Sequence, residues 1–198
     1  MSDFQSLISQ RRSIYALGTC VNLTQNEITN LIEDCLKNVP SAFNSQSTRM
    51  IVLYGKAYQS FWHMVEQTLK KIVPPDKFDA TQKRITSFAS GIGTILFFED
   101  EAVIEKLKKQ MPTYADNFIV WAEQADAMAQ YMVWTVLAEQ NIGASLQHYN
   151  PLIDEQVQKM FDVPETWRLI AQMPFGSIEE APHPKSFEPL ESRFKVFT

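Results

Sequence analysis

Pro40–Tyr54 reads P-S-A-F-N-S-Q-S-T-R-M-I-V-L-Y. Small, polar, turn-forming residues up to Ser47 empty straight into an apolar run. Met50–Tyr54 is a strand by that run and by the β-branched Ile51 and Val52. Asn44 and Gln46 each carry an amide that can donate and accept. On an extended backbone, two residues apart, they point the same way and can grip one edge of a flat heterocycle. Turn chemistry is the other reading: Asn and Ser satisfying their own backbone before a strand. The residues alone leave both open.

Working outward, helical and extended patterns alternate. Asp3–Gln10 places Phe4, Leu7 and Ile8 on one face, with Ser2 or Asp3 as a cap. Thr24 opens a second helix, with Glu27 at capping-box spacing and Ile28, Leu31, Ile32 and Cys35 as its apolar stripe. Pro40 ends that segment. Gln59–Ile72 spaces Phe61, Val65 and Leu69 four apart and stops at Pro74-Pro75. Part of Phe78–Ala89 reads as helix, Gly93–Phe98 as a buried strand and Glu101–Lys109 as a short charged helix. Asp116–Asn141 is the longest periodic stretch, apolar or small around much of its circumference. That pattern fits a core helix of one subunit and an oligomer interface equally well. Gly143 is its expected C-cap. Ile153–Phe161 is a helix, and Trp167–Met173 a strand continuing toward Phe175-Gly176. The tail ends in F-K-V-F, an extended end able to pair with a sheet. This order predicts an α+β fold, a small, mostly antiparallel sheet between helices.

The 198 residues suit a single domain, and 45% hydrophobic with 21% charged residues is a globular balance. A net charge of −5 argues against nucleic acid or an anionic membrane as the main partner. Two cysteines, Cys20 and Cys35, are too few for a disulfide framework and imply reduced thiols in the cytoplasm. The start M-S-D-F-Q lacks a signal-peptide pattern, and no run approaches the ~18 apolar residues of a membrane span.

Candidate chemistry sits in a few places. Arg11-Arg12-Ser13 offers two guanidiniums and a hydroxyl, which bind phosphate well, or else form a solvated basic pair. Lys185 and Arg193 in the tail join that cluster if the tail folds back. The small residues from Gly143 lead into L-Q-H-Y-N-P and permit close backbone approach. His63, His148 and His183 have no Cys or carboxylate at ligand spacing, so no metal site is expected. Gly91-Ile92-Gly93 lacks the rest of a dinucleotide fingerprint, and there is no G-x-S-x-G or Walker loop.

Taken in order, R-R-S near the N-terminus, P-S-A-F-N-S-Q-S about thirty residues on, and G-A-S-L-Q-H-Y-N-P-L-I-D late in the chain resemble the nitroreductase family. The last stretch is similar to its shorter branch, tied to fatty-acid repression. The resemblance covers nearly the whole chain. It implies one α+β nitroreductase-like domain over residues 1–198, dimerising through long helices, with FMN at the subunit interface. It implies NADH or NADPH as donor and a nitroaromatic, quinone or similar small-molecule acceptor, in a ping-pong cycle. Carried over by position, Arg11, Arg12 and Ser13 hold the FMN phosphate or the ring's polar edge. Pro40, Ser41, Asn44 and Gln46 line the ring, Leu146 and Gln147 approach it, and Arg193 and Lys185 reach the phosphate. A guanidinium or amide at the ring's polar edge stabilises the negative charge that hydride transfer leaves there; the flavin carries the redox step, so no side chain is assigned as catalytic.

The chain departs from the family pattern at two points. Ser47-Thr48 stand where many relatives have Pro-Trp, and the tail cations are eight residues apart rather than close together. Two other functions remain open on sequence: a flavin-binding regulator or store with little turnover, and a flavin-free interaction protein using its long helix to dimerise.

Overall fold

The computed structural model describes residues 3–198. In chain order it forms α1 (Asp3–Gln10), β1 (Leu17–Gly18), α2 (Gln25–Asn38), β2 (Thr48–Tyr54), α3 (Gly55–Lys70), α4 (Pro75–Ala89), β3 (Gly93–Asp100), α5 (Glu101–Gln110), α6 (Ala115–Glu139), β4 (Gly143–Ala144), α7 (Asp154–Phe161) and β5 (Trp167–Ile178). The fold is α+β, as the pattern predicts. The sheet runs β1-β5-β3-β2, with β4 also on β5, and every strand pair is antiparallel.

Strand β3 is buried along its whole length because helices cover both faces of the sheet. Alternation sorts its side chains. Ile95 and Phe97 face α2 and α6, packing with Ile28, Ile32, Val133 and Leu137. Leu96 and Phe98 face the other way, into a core with Phe61, Trp62 and Phe88 of α3 and α4 and Val157 of α7. Each fully buried aliphatic or Phe side chain there contributes roughly 1.5–3 kcal/mol. Polar groups inside this core are paired: Trp62 Nε1 donates to Thr94 Oγ1 at 2.9 Å, and the Tyr58 hydroxyl to the Phe88 carbonyl.

Helix α2 starts where the sequence predicts, and both hydrogen bonds of the Thr24–Glu27 capping box are formed. The uncertain stretch before Ala89 is a full helix, opened by Pro75 at its first position. Two expectations need correction. Asn141, not Gly143, takes the left-handed position after α6, at φ 57°. Gly143 is instead paired in β4, where a Cβ would come within 2.8 Å of Ile14 Cγ2. The F-K-V-F end pairs with no strand and stays exposed; the tail's only regular piece is the single turn Leu190–Ser192. The cap expected at Ser2 or Asp3 falls on a residue and a side chain outside those described.

Candidate functional site

The segment after α1 runs beside the end of β4. Ile14 N donates to the Ala144 carbonyl at 2.9 Å, and Trp134 Nε1 of α6 donates to the same oxygen at 3.1 Å. This places Arg11, Arg12 and Ser13 at the C-terminal half of α6. The Arg11 guanidinium lies 4.3 Å from the Trp134 ring centroid and 5.8 Å from that of Tyr131. Stacking of this kind is worth about 0.5–2 kcal/mol and fixes the guanidinium plane. Arg11 Nε is nevertheless buried with no hydrogen-bond partner.

The tail does fold back here. Arg12 Nη2 donates to the His183 carbonyl at 2.5 Å. Residues 11–16 and 180–186 together line a cleft of about 430 Å³, which holds Arg11, Arg12, Ser13 and Lys185. Arg193 is not among the residues lining this cleft; its Nη2 turns to the Glu188 carbonyl at 3.5 Å.

The loop after β4 continues from the same place. Gln147 exchanges backbone hydrogen bonds with Gln172 of β5, at 2.7 and 2.9 Å. Leu146 is half-buried against the α2/α6 core. Gln172 is fully buried, and its side chain accepts from Tyr149 N at 2.8 Å and donates to Asn150 Oδ1 at 3.2 Å. A buried Gln in a strand centre is a residue the sequence reading passed over, and it sets the shape of the Gln147 loop.

The Pro40–Ser47 segment lies elsewhere. Its backbone is not extended, so the amides do not align in the way an extended chain would give. Ala42–Asn44 form one 3₁₀ turn, and Phe43, Asn44 and Gln46 all have positive φ, at 54°, 52° and 49°. For a bulky non-glycine residue this conformation is strained, at about 1–3 kcal/mol each. Specific bonds enforce it. Ser41 Oγ accepts from Gln46 N at 3.0 Å. Arg49 Nη1 donates to the Gln46 carbonyl at 2.6 Å, while its Nη2 pairs with Asp100 Oδ2 at 2.9 Å. Asp100 N donates to the Ser47 carbonyl at 3.0 Å. Asn44 and Gln46 are left exposed.

Phe43 is a second residue the sequence reading missed; an aromatic inside a polar turn was the available signal. It is 57% exposed, and its ring sits 5.8 Å from Tyr114, 5.8 Å from Phe118 and 6.0 Å from Trp121, at the start of α6. The two groups therefore occupy opposite halves of α6. Tyr131 and Trp134 follow Phe118 and Trp121 by thirteen positions, roughly 20 Å at helical rise. Between them α6 exposes Ile119, Val120, Met128 and Tyr131. Among the described residues no group of His, Cys, Asp or Glu is placed to hold a metal ion, and no helix is long and apolar enough to cross a membrane.

The model of the Nitroreductase family matches residues 8–177. The HBN1 protein of Saccharomyces cerevisiae is 33% identical over 190 residues, spanning 94% of each chain. A solved structure of nitroreductase CinD from Lactococcus lactis in complex with chloramphenicol superposes with a TM-score of 0.91 at 41% identity, over 99% of this chain and all of that one. A protein of Exiguobacterium sibiricum solved in complex with FMN is 14% identical, and its TM-score of 0.74 over the whole of this chain and 98% of its own reflects a shared fold.

Proposed function

We propose a function from one premise: the chain belongs to the nitroreductase family, and it is an oxidoreductase. In our reading it is an FMN-dependent enzyme that takes hydride from NADH or NADPH and reduces a nitroaromatic, a quinone or a related acceptor. The observation that carries this reading is the split site. One copy presents a cationic cleft at one end of α6 and an amide-bearing loop at the other. Two copies related by a twofold axis, with their α6 helices antiparallel, bring the Asn44 end of one beside the Arg11 end of the other. The exposed apolar residues of α6 are then the natural contact, and each dimer holds two flavin sites.

The residues present fit the cofactor. Arg11, Arg12, Ser13 and Lys185 are the donor set a phosphate dianion takes, and the unpartnered Arg11 Nε supplies a buried N–H for an acceptor oxygen. Arg11 and Arg12 hold the phosphate or the ring's polar edge. Pro40, Ser41, Asn44 and Gln46 line the ring, and Leu146 and Gln147 approach it. Arg193, which does not line the cleft of its own chain, is left as a phosphate ligand only if the exposed tail reaches a second copy.

When bound, FMN supplies the hydride-accepting and hydride-donating chemistry. The chain's part is positioning. Strained Asn44 and Gln46 present their amides without having to reorganise, and Arg11 is held flat by Trp134. Phe43 and Tyr114 offer exposed aromatic surface on which a planar acceptor can lie. No side chain is needed to move a proton, and none is assigned. The relative solved with chloramphenicol, a nitroaromatic, is consistent with this acceptor class. The free thiols Cys20 and Cys35 support a cytoplasmic location. Stopped-flow bleaching of the FMN-loaded protein by NADH or NADPH tests the reading: fast bleaching and fast recovery with a nitroaromatic are expected. A yellow protein that bleaches slowly with both nicotinamides is instead a flavin store or regulator.

A further inference from the structure

Behind the Pro40–Ser47 loop, the sheet hides a polar cluster that the flavin reading does not use. Glu99 of β3 is fully buried and faces α6, on the same side as Ile95 and Phe97. Its register partner Thr48 donates from Oγ1 to Glu99 Oε1 at 2.7 Å. Asp126 of α6 is also fully buried, and Gln130, one turn on, donates to its Oδ2. Three atoms remain buried with no partner: Glu99 Oε2, Asp126 Oδ1 and the Ser47 hydroxyl. The Ser47 hydroxyl faces the Glu99 carboxyl. Two buried carboxylates whose charges act on each other are costly when both are ionised, and Asp126 Oδ1 has no donor to offset its charge. One proton, on Asp126, removes that cost.

We infer that Glu99 and Asp126 carry one proton between the two of them, and that this keeps the Glu99 carboxylate on Ser47 and Thr48, a positioning device that holds the Pro40–Ser47 loop in its strained, binding-ready form. This rests on the flavin reading only for what the loop binds. The charged groups whose fields reach the pair are Arg168 of β5 and Glu123 of α6 and, from the other face of the sheet, Arg49 of β2. Arg49 is engaged by Asp100, and Arg168 by Glu101 and Glu123, so neither neutralises the pair by direct contact. Burial pushes both carboxyls up, and the charge of Glu99 raises Asp126 further, to about 7. Above neutral pH the proton leaves Asp126, and the second buried charge repels the Glu99 carboxylate away from Ser47 and Thr48.

The test uses the full chain and reads amide hydrogen exchange over residues 41–48 at pH 6 and pH 8.5, corrected for intrinsic exchange. Protection is expected to fall about tenfold at the higher pH in the wild type and to hold steady in Asp126→Asn. Glu99→Gln should behave in the same way and serves if the first variant does not fold. FMN titration runs alongside, with riboflavin as a control that lacks the titrating phosphate. Both ligands should bind several-fold more weakly at pH 8.5 to the wild type only. Wild-type exchange indifferent to pH, or a pH response that survives in both variants, overturns the proposal. A chain that binds no flavin at either pH, yet keeps the Asp126-dependent exchange response, sinks the flavin reading and upholds the pair as the loop's positioning device.

Discussion

The Arg49 guanidinium donates to the carbonyl of Gln46 across 2.6 Å, holding a residue at φ 49° that turns its amide outward. The same guanidinium pairs with Asp100 and lies 5.7 Å from the Trp167 ring centroid, on the sheet face opposite Glu99. The end of β3 thus grips the loop from both faces, with Glu99 on one and Asp100 on the other. Arg49→Ala should lose FMN affinity by about tenfold, equivalent to ~1.4 kcal/mol, and destabilise the fold by about 1.5–3 kcal/mol as charged hydrogen bonds vanish. Flavin fluorescence quenching and urea unfolding read the two effects separately. Unchanged FMN affinity in a folded Arg49→Ala protein would sink this role.

Arg11→Ala and Arg12→Ala should each weaken FMN at least tenfold, since each removes charge-assisted donors to a phosphate. Riboflavin binding should change far less for whichever of the two contacts the phosphate. If both variants retain FMN as the wild type does, the cleft is not the phosphate site.

Phe43 has a strained backbone and an exposed ring, two costs with no benefit to the isolated fold beyond its aromatic contacts. Phe43→Ala should raise KM for a nitroaromatic several-fold and leave the reduction of FMN by nicotinamide within about twofold, because only the acceptor is expected to stack there. An unchanged KM would assign Phe43 to packing alone.

The sign of the pH effect on stability follows from Asp126. Its carboxyl is pushed up to about 7 in the fold, chiefly because burial disfavours the charge and next by the charge of Glu99. Unfolded, it titrates near its ordinary 3.8. The contribution is fully present below about pH 4 and is lost as pH rises to 7, where it levels off. Asp126→Asn should match the wild type in acid and exceed it at pH 8, by on the order of 2–4 kcal/mol. Thermal midpoints at pH 4 and pH 8 check this; a variant destabilised equally at both contradicts it.

Much of this was legible in the sequence. The capping box at Thr24, the buried run Gly93–Phe98 and the long periodic helix each follow from local pattern, and each is present. The cleft was anticipated as Arg11, Arg12 and Ser13 with a returning tail, and Lys185 does come back to it. Hidden from the sequence was everything set by contacts far apart in the chain. Between the extended chain and the turn that its residue types leave open, the Pro40–Ser47 segment takes a turn with left-handed residues, because Ser41, Arg49 and Asp100 bond Gln46 and Ser47 into place. Gly143 looked like a helix cap because its real constraint, the close approach of Ile14, comes from residues 129 positions away. Ser47-Thr48, which marked a departure from the family's Pro-Trp, proves to face a buried carboxyl that no pattern announces.

The α6 face carries the remaining prediction. Val120 is 50% exposed and Met128 is 42% exposed, apolar side chains that the core of their own chain leaves uncovered. Val120→Glu should turn a dimer into a folded monomer that has lost its flavin, read by sedimentation and absorbance together. A monomer that still holds FMN would show that one chain builds the site alone.

The central claim is a flavin cradle completed by two copies, and the visible absorption spectrum of the purified dimer after incubation with FMN tests it most directly. The account predicts flavin absorption that stays with the protein through gel filtration, at one FMN per chain. A colourless dimer that releases all of its FMN would contradict it.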